Sequence, residues 1–297
     1  MKRILITGAN GFVGRHLINS LTKDKNIFVL GLDKEKGCIM SPDIQKTIIC
    51  DIEDKVKLKE VFKENNIDVV IHLAAVIRCE DRKEYEKTNI QGTESLIELS
   101  EYFMVKRFIF LSTDFVLYNT TDDYGISKKA CECIIKSSKL NFTIFRPTPI
   151  LGQGDTKNFT NLISVIKKYP VLPSIKCYME PVYVGDIAKA IAASLENNCP
   201  PCRIYNLPGG SVHEFSEILS ITAKLLGLKR VIVPIPKKIF LFALKSYEKF
   251  GANPLLTNHQ VQKWLKTVHL DYSSAQKDLN YNPISFEEGM RLTIKEL

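Results

Sequence analysis

The stretch that decides the fold is TGANGFVG, Thr7–Gly14, which closes the apolar run Arg3–Thr7 near the start of the chain. Its glycines, Gly8, Gly11 and Gly14, have the spacing GxxGxxG. Glycine between a strand and a helix lets the backbone approach a pyrophosphate, whose charge then meets the N-terminus of the helix. Because the usual fingerprint is GxGxxG, this stretch predicts a dinucleotide turn only together with other signals.

A second signal is Asp33, which follows the next predicted strand and lies 19 residues after Gly14. A carboxylate at this place accepts hydrogen bonds from the adenosine ribose and repels a 2′-phosphate. It therefore favours NAD as the cofactor, although the neighbouring Lys34 leaves NADP open.

The first half of the chain alternates short apolar runs with amphipathic stretches, the βαβα order of a parallel sheet covered by helices. Unbroken apolar runs indicate strands buried on both faces, and right-handed crossovers favour a doubly wound sheet. The fold class is therefore α/β, Rossmann-type. The predicted strands are Arg3–Thr7, Ile27–Leu32, Lys46–Cys50, Asp68–His72, Arg107–Ser112 and Phe142–Arg146, and the predicted helices are Phe12–Thr22, Asp54–Asn65, Tyr85–Tyr102 and Tyr124–Lys139.

After Pro147 the pattern changes to a smaller, mainly helical region. We expect a dinucleotide-binding domain over 1–150 plus about 181–207, and a substrate-binding region over about 151–180 and 208–297. Ser285 and Glu288 have the spacing of a capping box for the last helix. Further predicted elements are a helix at Asn158–Lys168, a strand at Glu180–Val184, a helix from about Asp186 and a strand at Ile204–Leu207.

Composition narrows the class of protein. The 297 residues are 45% hydrophobic and 25% charged, as in soluble globular proteins. No apolar run approaches the roughly 20 residues of a membrane span, and no signal-peptide core is present, so we expect a cytoplasmic protein. The net charge of +8 comes from scattered lysines, which argues against nucleic-acid binding. The run Ile239–Leu244 fits a helix packed into the second region or one lying on a membrane surface.

The eight cysteines do not form a recognisable metal site. Cys199 and Cys202 have the spacing of half a zinc site, but no second pair completes four ligands. Cys131 and Cys133, two positions apart on a predicted helix, point in different directions. We therefore expect reduced thiols and no bound metal.

The candidate chemistry lies in LSTDFVLYNTTDDYGISKK, Leu111–Lys129. Tyr124 and Lys128 are four residues apart on a predicted helix and share one face. An ammonium beside a phenol lowers the pKa of the tyrosine, so that it can exchange a proton near neutral pH. The Thr113 hydroxyl, at the carboxyl edge of the sheet where such folds bind ligands, can hydrogen-bond the reacting oxygen.

With these residues in place, the chain resembles the extended short-chain dehydrogenase/reductase family, the NAD-dependent epimerases and dehydratases of nucleotide sugars. The likeness covers nearly the whole length. The matching motifs are TGANGFVG, Asp51-Ile52 after the third strand, HLAA at 72–75, Asn89 in TNIQGT, Arg146-Pro147, PVYVGDIAKAI at 181–191 and LNYNPISFEEGM at 279–290.

The resemblance implies a shared hydride chemistry, in which Tyr124 exchanges a proton with a sugar oxygen, Lys128 holds the nicotinamide ribose and Thr113 orients the substrate. It implies a nucleotide-sugar substrate, and a homodimer formed through the helices at 85–102 and 124–139. A 4-epimerase would recycle NAD, and a 4-ketoreductase would perform only the reduction. The expected cofactor contacts are Gly8, Asn10, Gly11, Phe12, Val13, Gly14, Asp33, Asp51, Ile52, Leu73, Ala74, Ala75, Asn89, Ser112, Tyr124, Lys128, Pro147 and Thr148.

Two departures from the family pattern concern the substrate. Thr113 and Tyr124 are only 11 positions apart, whereas the sugar-nucleotide enzymes have a longer loop there. Met179-Glu180 stands where many of them have an arginine that grips the diphosphate. Two alternatives therefore remain open: a related dehydrogenase of a non-sugar alcohol or ketone, and a cofactor-binding subunit without turnover, like the complex I accessory subunit.

Overall fold

The computed structural model describes residues 1–35, 44–77, 79, 81–118, 122–156, 159–196, 199–242 and 269–295. The strands are β1 (Lys2–Thr7), β2 (Ile27–Asp33), β3 (Lys46–Ile49), β4 (Val69–His72), β5 (Arg107–Leu111), β6 (Phe142–Pro147), β7 (Ile150–Leu151), β8 (Val171–Ser174), β9 (Tyr178–Met179), β10 (Val182–Tyr183), β11 (Arg203–Leu207), β12 (His213–Glu214) and β13 (Val231–Pro234). The main helices are α1 (Phe12–Leu21), α2 (Lys55–Asn65), α3 (Gly92–Tyr102), α4 (Asp123–Ser137), α5 (Phe159–Lys168), α6 (Val184–Ala193), α7 (Phe215–Leu225), α8 (Ser273–Leu279) and α9 (Phe286–Lys295).

Seven strands form one sheet in the order β11-β6-β5-β4-β1-β2-β3. The order reverses at β1, which pairs in parallel with both β2 and β4. Thr7 at the end of β1 is in register with Leu32 on β2 and with His72 on β4. The carboxyl ends of these strands therefore meet at the switch point, where open α/β sheets bind their ligands.

The sheet is stable because its central strands are apolar on both faces. All four residues of β4 are buried. Leu5, Val70 and Phe108 come from three neighbouring strands, belong to one core cluster and have no exposed surface. Each such side chain contributes roughly 1.5–3 kcal/mol by leaving water. The sequence prediction of a doubly wound α/β fold is confirmed, with each of the six predicted N-terminal strands ending within one residue of its observed bounds.

Two predicted elements differ from the structure. The stretch Tyr85–Tyr102 is not one α-helix. A short helical turn at Arg82–Glu84 is followed by a π-helical segment at Tyr85–Gln91, which continues directly into α3. The predicted strand Glu180–Val184 is reduced to β10, and α6 begins directly at Val184. Pro181 explains the second difference, since it has no amide to donate to a neighbouring strand.

The chain divides into two compact units. The first contains Met1–Pro147, Ile187–Asn206 and Tyr272–Tyr281, and the second contains the rest. The stretch Tyr272–Tyr281, which includes α8, was expected in the C-terminal region and lies in the first unit instead. The hydroxyl of Tyr205 on β11 donates to Asp278 Oδ2 on α8 at 2.8 Å, which anchors the returning stretch.

The second unit has its own core, formed by side chains of α5, α7 and α9 such as Ile163, Phe215 and Met290. Three two-stranded sheets pair β7 with β10, β8 with β13 and β9 with β12. The amide of Glu288 donates to Ser285 Oγ at 3.2 Å, which is one half of the predicted capping box.

The apolar run Ile239–Leu244 is described only up to residue 242. Residues 237–242 are helical, and Phe240 is buried in the core of the second unit, as one of our two interpretations required. Ile239 and Phe242 are exposed on the same helix. No helix within the described ranges is long and apolar enough to span a membrane.

We predict that Tyr205→Phe lowers the free energy of unfolding by about 1–2 kcal/mol, because it removes a hydrogen bond to a carboxylate and leaves Asp278 without that donor. The ring contact of residue 205 with Phe145, at 5.8 Å between centroids, stays intact. Urea unfolding measures the change, and Tyr169→Phe at a 43% exposed position is the control. Equal stability of both variants would contradict the anchoring role of Tyr205.

Candidate active site

The glycine turn is packed so closely that side chains cannot enter it. Gly8 has φ +69°, and a Cβ on it would lie 2.7 Å from the backbone nitrogen of Ala74. A Cβ on Gly14 would lie 2.4 Å from the carbonyl oxygen of Gly8, and one on Gly11 would lie 3.0 Å from it. The turn therefore lies directly against Leu73-Ala74, the segment that follows β4.

The N-terminus of α1, which follows this turn, is open to an anion. Its N-cap is Gly11, which offers no side-chain cap, and the first turn has no acidic residue. The free amides and the helix dipole therefore favour a negative group there. Phe12 and Val13 begin the helix; Val13 is buried, and the ring of Phe12 packs against His16 at 5.7 Å.

Asp33 connects the glycine turn to the end of β2. Its Oδ2 accepts a hydrogen bond from the backbone amide of Asn10, and its Oδ1 accepts one from the backbone amide of Lys34, each at 2.9 Å. The Asn10 side chain donates to the carbonyl of Glu35, while its buried Oδ1 has no hydrogen-bond partner within the described ranges. Glycines that keep side chains out of the turn, a helix N-terminus without a side-chain cap and an acid at the end of β2 together fit a dinucleotide.

The end of β3 lies beside Asp33. The amide of Cys50 donates to the Asp33 carbonyl at 2.9 Å, and Asp51 Oδ1 accepts from the Glu53 amide at 3.1 Å. Ile52 is buried against the start of α3, where a Cβ on Gly92 would lie 2.8 Å from Ile52 Cδ1. This arrangement places Asp51-Ile52 next to the acid predicted to bind the ribose.

A buried chain of hydrogen bonds holds the segment after β4. His72 Nδ1 pairs with Thr7 Oγ1 at 2.7 Å, and its Nε2 pairs with Thr93 Oγ1 at 3.1 Å. Thr7 Oγ1 also accepts from the Ala74 amide at 3.3 Å. Burial, and secondarily the charge of Lys128, lower the pKa of His72 to about 3. His72 is therefore neutral at pH 7, with one ring nitrogen donating and the other accepting.

Asn89, in the π-helical segment, holds the next part of the same loop. Its Oδ1 accepts from the Val76 amide at 2.8 Å, and its Nδ2 donates to the Val76 carbonyl at 3.0 Å and to Ser127 Oγ at 2.9 Å. The side chain thus connects the loop containing Ala75 to α4. Ser127 was not among our sequence-predicted residues, and no motif singles it out.

Contacts of α4 with β5 and with the residues that follow β5 bring Thr113, Tyr124 and Lys128 into one region. The Lys128 ammonium lies 4.0 Å from the ring centre of Phe110 on β5. The ring of Phe115, two residues after Thr113, packs edge-on against Tyr124 at 6.1 Å. The Thr113 hydroxyl donates to Asp114 Oδ1 at 3.1 Å. Ser112 has another role, because its hydroxyl donates to Glu132 Oε1 at 2.7 Å.

The protonation of Tyr124 differs from our expectation. Burial, followed by the charges of Asp114 and Asp122, raises the pKa of Tyr124. Lys128 is not among the groups that shift the pKa of Tyr124, and burial lowers the pKa of Lys128 itself to about 8. The phenol is therefore protonated at neutral pH in the protein by itself, and the expected lowering of its pKa by the lysine is not found.

Pro147 and Thr148 fall on either side of the division between the units. Pro147 ends β6 and the first of the three segments of the first unit, whereas Thr148 begins the second unit. The Thr148 amide donates to the Leu207 carbonyl at 3.3 Å, and its hydroxyl donates to the carbonyl of the buried Glu180. A cofactor contact at Thr148 stays a prediction.

The described residues contain no cluster of His, Cys, Asp and Glu able to hold a metal. The seven cysteines they include are free thiols, three of them exposed: Cys79, Cys133 and Cys202. This part of the chain is consistent with reduced cysteines.

The sheet order, the switch-point crevice and the glycine turn define a Rossmann-type nucleotide-binding protein. The sequence profile of the NAD dependent epimerase/dehydratase family matches residues 4–207, and the chain belongs to that family. Its members use NAD, the cofactor that the turn and Asp33 indicated.

Individual relatives agree with this assignment. The chain is similar to a UDP-glucose 4-epimerase of Vibrio cholerae, with 26% identity covering 98% of this chain and 94% of the relative. It is also similar to a dTDP-D-glucose 4,6-dehydratase of Dictyostelium discoideum, with 28% identity over 77% of this chain, although it spans only 62% of that relative. Its fold matches the UDP-glucuronic acid 4-epimerase of Bacillus cereus, solved in complex with UDP-glucuronic acid and NAD, with a TM-score of 0.76, 23% identity and coverage of 99% and 98% of the two chains.

We predict that Gly8→Ala lowers the free energy of unfolding by about 1–3 kcal/mol more than Gly227→Ala. Gly227 has φ +70°, and a Cβ on it would have no atom within 4 Å, so alanine there meets only the backbone strain. Alanine at Gly8 meets the same strain and also overlaps Ala74. Urea unfolding of both variants gives the difference, and calorimetry should show that only Gly8→Ala weakens NAD binding. Equal losses in stability would contradict the close approach.

We also predict a distinct pH dependence for His72→Gln. The folded pKa of His72 lies below its ordinary value of 6.5, so the unfolded chain takes up a proton that the folded protein does not. The contribution of the neutral His72 side chain to the free energy of unfolding is complete above pH 6.5. It is lost at about 1.4 kcal/mol per pH unit as the pH falls toward 3.

Urea unfolding at pH 7, 6 and 5 should therefore show a steeper loss of stability in the wild type than in His72→Gln. His16→Gln is the control for the substitution itself, since His16 lies on α1 outside this chain of hydrogen bonds. Identical slopes for the wild type and His72→Gln would show that His72 does not stay neutral in the fold.

Proposed function

We propose that this protein is an NAD-dependent 4-epimerase of a nucleotide-linked sugar, with Tyr124, Lys128 and Thr113 as its catalytic residues. The observation that carries the proposal is Lys128. Its side chain is 2% exposed, and its ammonium makes no hydrogen bond within the described ranges, contacting the Phe110 ring instead. A buried ammonium with its donors unused is costly unless a ligand engages it. One helical turn earlier stands Tyr124, a half-buried proton donor.

NAD bound at the glycine turn would supply a hydride acceptor, and reduced NAD a hydride donor. Gly8, Gly11 and the start of α1 would hold its pyrophosphate, and Asp33 its ribose. Asp51-Ile52 and the loop fixed by Asn89 would line the rest of the cofactor site. Lys128 would hydrogen-bond the ribose next to the nicotinamide.

Tyr124 moves the proton in this proposal. To start from a sugar alcohol, the phenol must first lose its proton, which requires positive charge beside it. Lys128 and an oxidised nicotinamide together would supply that charge. The Thr113 hydroxyl, which donates to Asp114 in the structure, can accept a hydrogen bond from the reacting hydroxyl and keep it in place.

The protonated state of Tyr124 also favours a second candidate, a 4-ketoreductase. A neutral phenol is ready to donate a proton to a carbonyl oxygen as a hydride reaches the same carbon. The Vibrio cholerae relative, which aligns over nearly its full length and is named as an epimerase, supports the first candidate. Homodimerisation and a cytoplasmic location stay predictions from the family resemblance and the composition.

The test is a panel of UDP-, dTDP- and GDP-sugars with NAD, together with their 4-keto forms with NADH. We expect one sugar to be converted to its 4-epimer without net accumulation of NADH, and Tyr124→Phe to lower kcat by about 10²–10⁴-fold. Lys128→Met should lower it comparably. Tyr102→Phe, at a 71% exposed position, should retain activity.

One result separates the two candidates, and two others would contradict the proposal. Net oxidation of NADH by a 4-keto sugar, without epimerisation, would support the ketoreductase instead. A panel left unchanged by protein that binds NAD would contradict both. Full activity in Tyr124→Phe would exclude the assigned site while leaving the family membership intact.

A further inference from the structure

Glu132 lies on α4 one helical turn after Lys128, and its side chain is only 2% exposed. Ser112 Oγ donates to Oε1 at 2.7 Å, and Arg146 donates through Nε to Oε1 at 2.8 Å and through Nη2 to Oε2 at 2.5 Å. The ammonium of Lys136 lies 3.1 Å from Oε2. These four residues, Ser112, Glu132, Lys136 and Arg146, are called the Glu132 cluster below.

The carboxylate of Glu132 is ionised despite its burial. Burial alone would raise the pKa of Glu132, but the hydrogen bonds from Arg146 and Ser112 and the charge of Arg146 outweigh it, so that the pKa lies below its ordinary value. A two-point contact with arginine is among the stronger and more directional pairings of a carboxylate. Removing either partner of such a buried pair leaves an uncompensated charge.

The cluster joins three elements at the place where the chemistry is proposed. Ser112 follows β5 and directly precedes Thr113, whereas Arg146 lies near the carboxyl end of β6. Glu132 is on the helix that carries Tyr124 and Lys128. One side chain therefore ties α4 to two neighbouring strand ends.

We propose that Glu132 is a positioning residue for Tyr124 and Lys128: it fixes α4 along the carboxyl ends of β5 and β6 and places a negative charge one turn from the Lys128 ammonium. The proposal rests on the proposed function for the roles of those two residues. Glu132 itself need not touch cofactor or substrate. A passive salt bridge would stabilise the fold without affecting the lysine.

The surroundings of Lys128 make its protonation sensitive to this charge. Burial lowers the pKa of Lys128 to about 8, and the only groups that oppose this among those acting on it are Cys131 and Glu132. Burial raises the pKa of Cys131, so its thiol is neutral at pH 7. His72 on β4 is neutral as well, and β5 contributes the uncharged Phe110 ring. Of these groups, Glu132 is the one that carries a full charge.

The experiment follows Lys128 directly in protein without cofactor or sugar. In protein labelled with [¹³C]lysine, the Lys128 signal is assigned from its absence in Lys128→Met and titrated by NMR. We expect Glu132→Gln, which keeps the shape and removes the charge, to lower the titration midpoint by about half to one pH unit. NADH binding should then weaken several-fold between about pH 6 and pH 8, where the wild type changes less.

Glu98→Gln is the matched control. Glu98 is an exposed carboxylate on α3 paired with Lys55, so its substitution should leave both the midpoint and NADH binding unchanged. A Glu132→Gln variant with reduced Tm but an unchanged Lys128 midpoint would overturn the proposal, because the residue would then be a structural salt bridge and nothing more.

A second variant covers the case in which Glu132→Gln does not fold. The double substitution Glu132→Gln with Arg146→Met removes both buried charges and leaves neither unpaired. A lowered midpoint in this variant would support the proposal, and a midpoint equal to that of the wild type would overturn it. Since no sugar is present, a negative sugar panel would count against the proposed function without affecting this result.

Discussion

The fold depends most on the contact of two backbones, that of Gly8 with that of Ala74. At the distances found, the contact leaves no room for a side chain at position 8. It fixes the start of α1 against the end of β4, and so brings the helix N-terminus to the point where the strand order reverses. The start of α1, Asp33 and the segment after His72 are thereby brought to the same edge of the sheet.

Around this contact, the polar groups of the first unit form separate sets that each join several elements. Thr7, His72 and Thr93 join β1, β4 and α3 without charge. The Glu132 cluster joins β5, β6 and α4 through an ion pair. Buried polar groups of this kind specify one arrangement because each loses hydrogen bonds if its elements slide. The residues proposed for catalysis lie on elements that these sets hold in place.

Much of the fold could be predicted from the sequence, because its strands and helices are built from local patterns. The apolar runs indicated the six N-terminal strands nearly to the residue, and the glycine spacing with Asp33 indicated the cofactor. Motif matches identified Tyr124, Lys128 and Thr113 as candidates, and the structure gathers their elements. Apolar and amphipathic patterns indicate which residues are buried in the core. The alignment of neighbouring strands then follows from the parallel topology of the sheet.

What the sequence could not provide depends on contacts between distant positions. The raised pKa of Tyr124 results from burial and from Asp114 and Asp122, whereas residue spacing suggested only the lysine. Glu132 and Arg146 are 14 positions apart and belong to no common periodic pattern. The return of Tyr272–Tyr281 to the first unit involves the pairing of Tyr205 with Asp278, 73 positions apart. The short strand β10 was overestimated because the effect of Pro181 outweighed its apolar neighbours.

The π-helical turn at Tyr85–Gln91 has a consequence for how this segment tolerates changes in length. A π-turn holds one more residue than an α-turn, so the residues before it and those after it follow different helical phases. Deleting a single residue here would remove the extra residue and restore a regular α-helix, so the flanking turns would keep their orientation while the residues of the π-turn itself would shift. Asn89 would then lose its hydrogen bonds to Val76 and Ser127, although every remaining residue type would still be suitable for a helix. In this segment the count of residues matters as much as their identity.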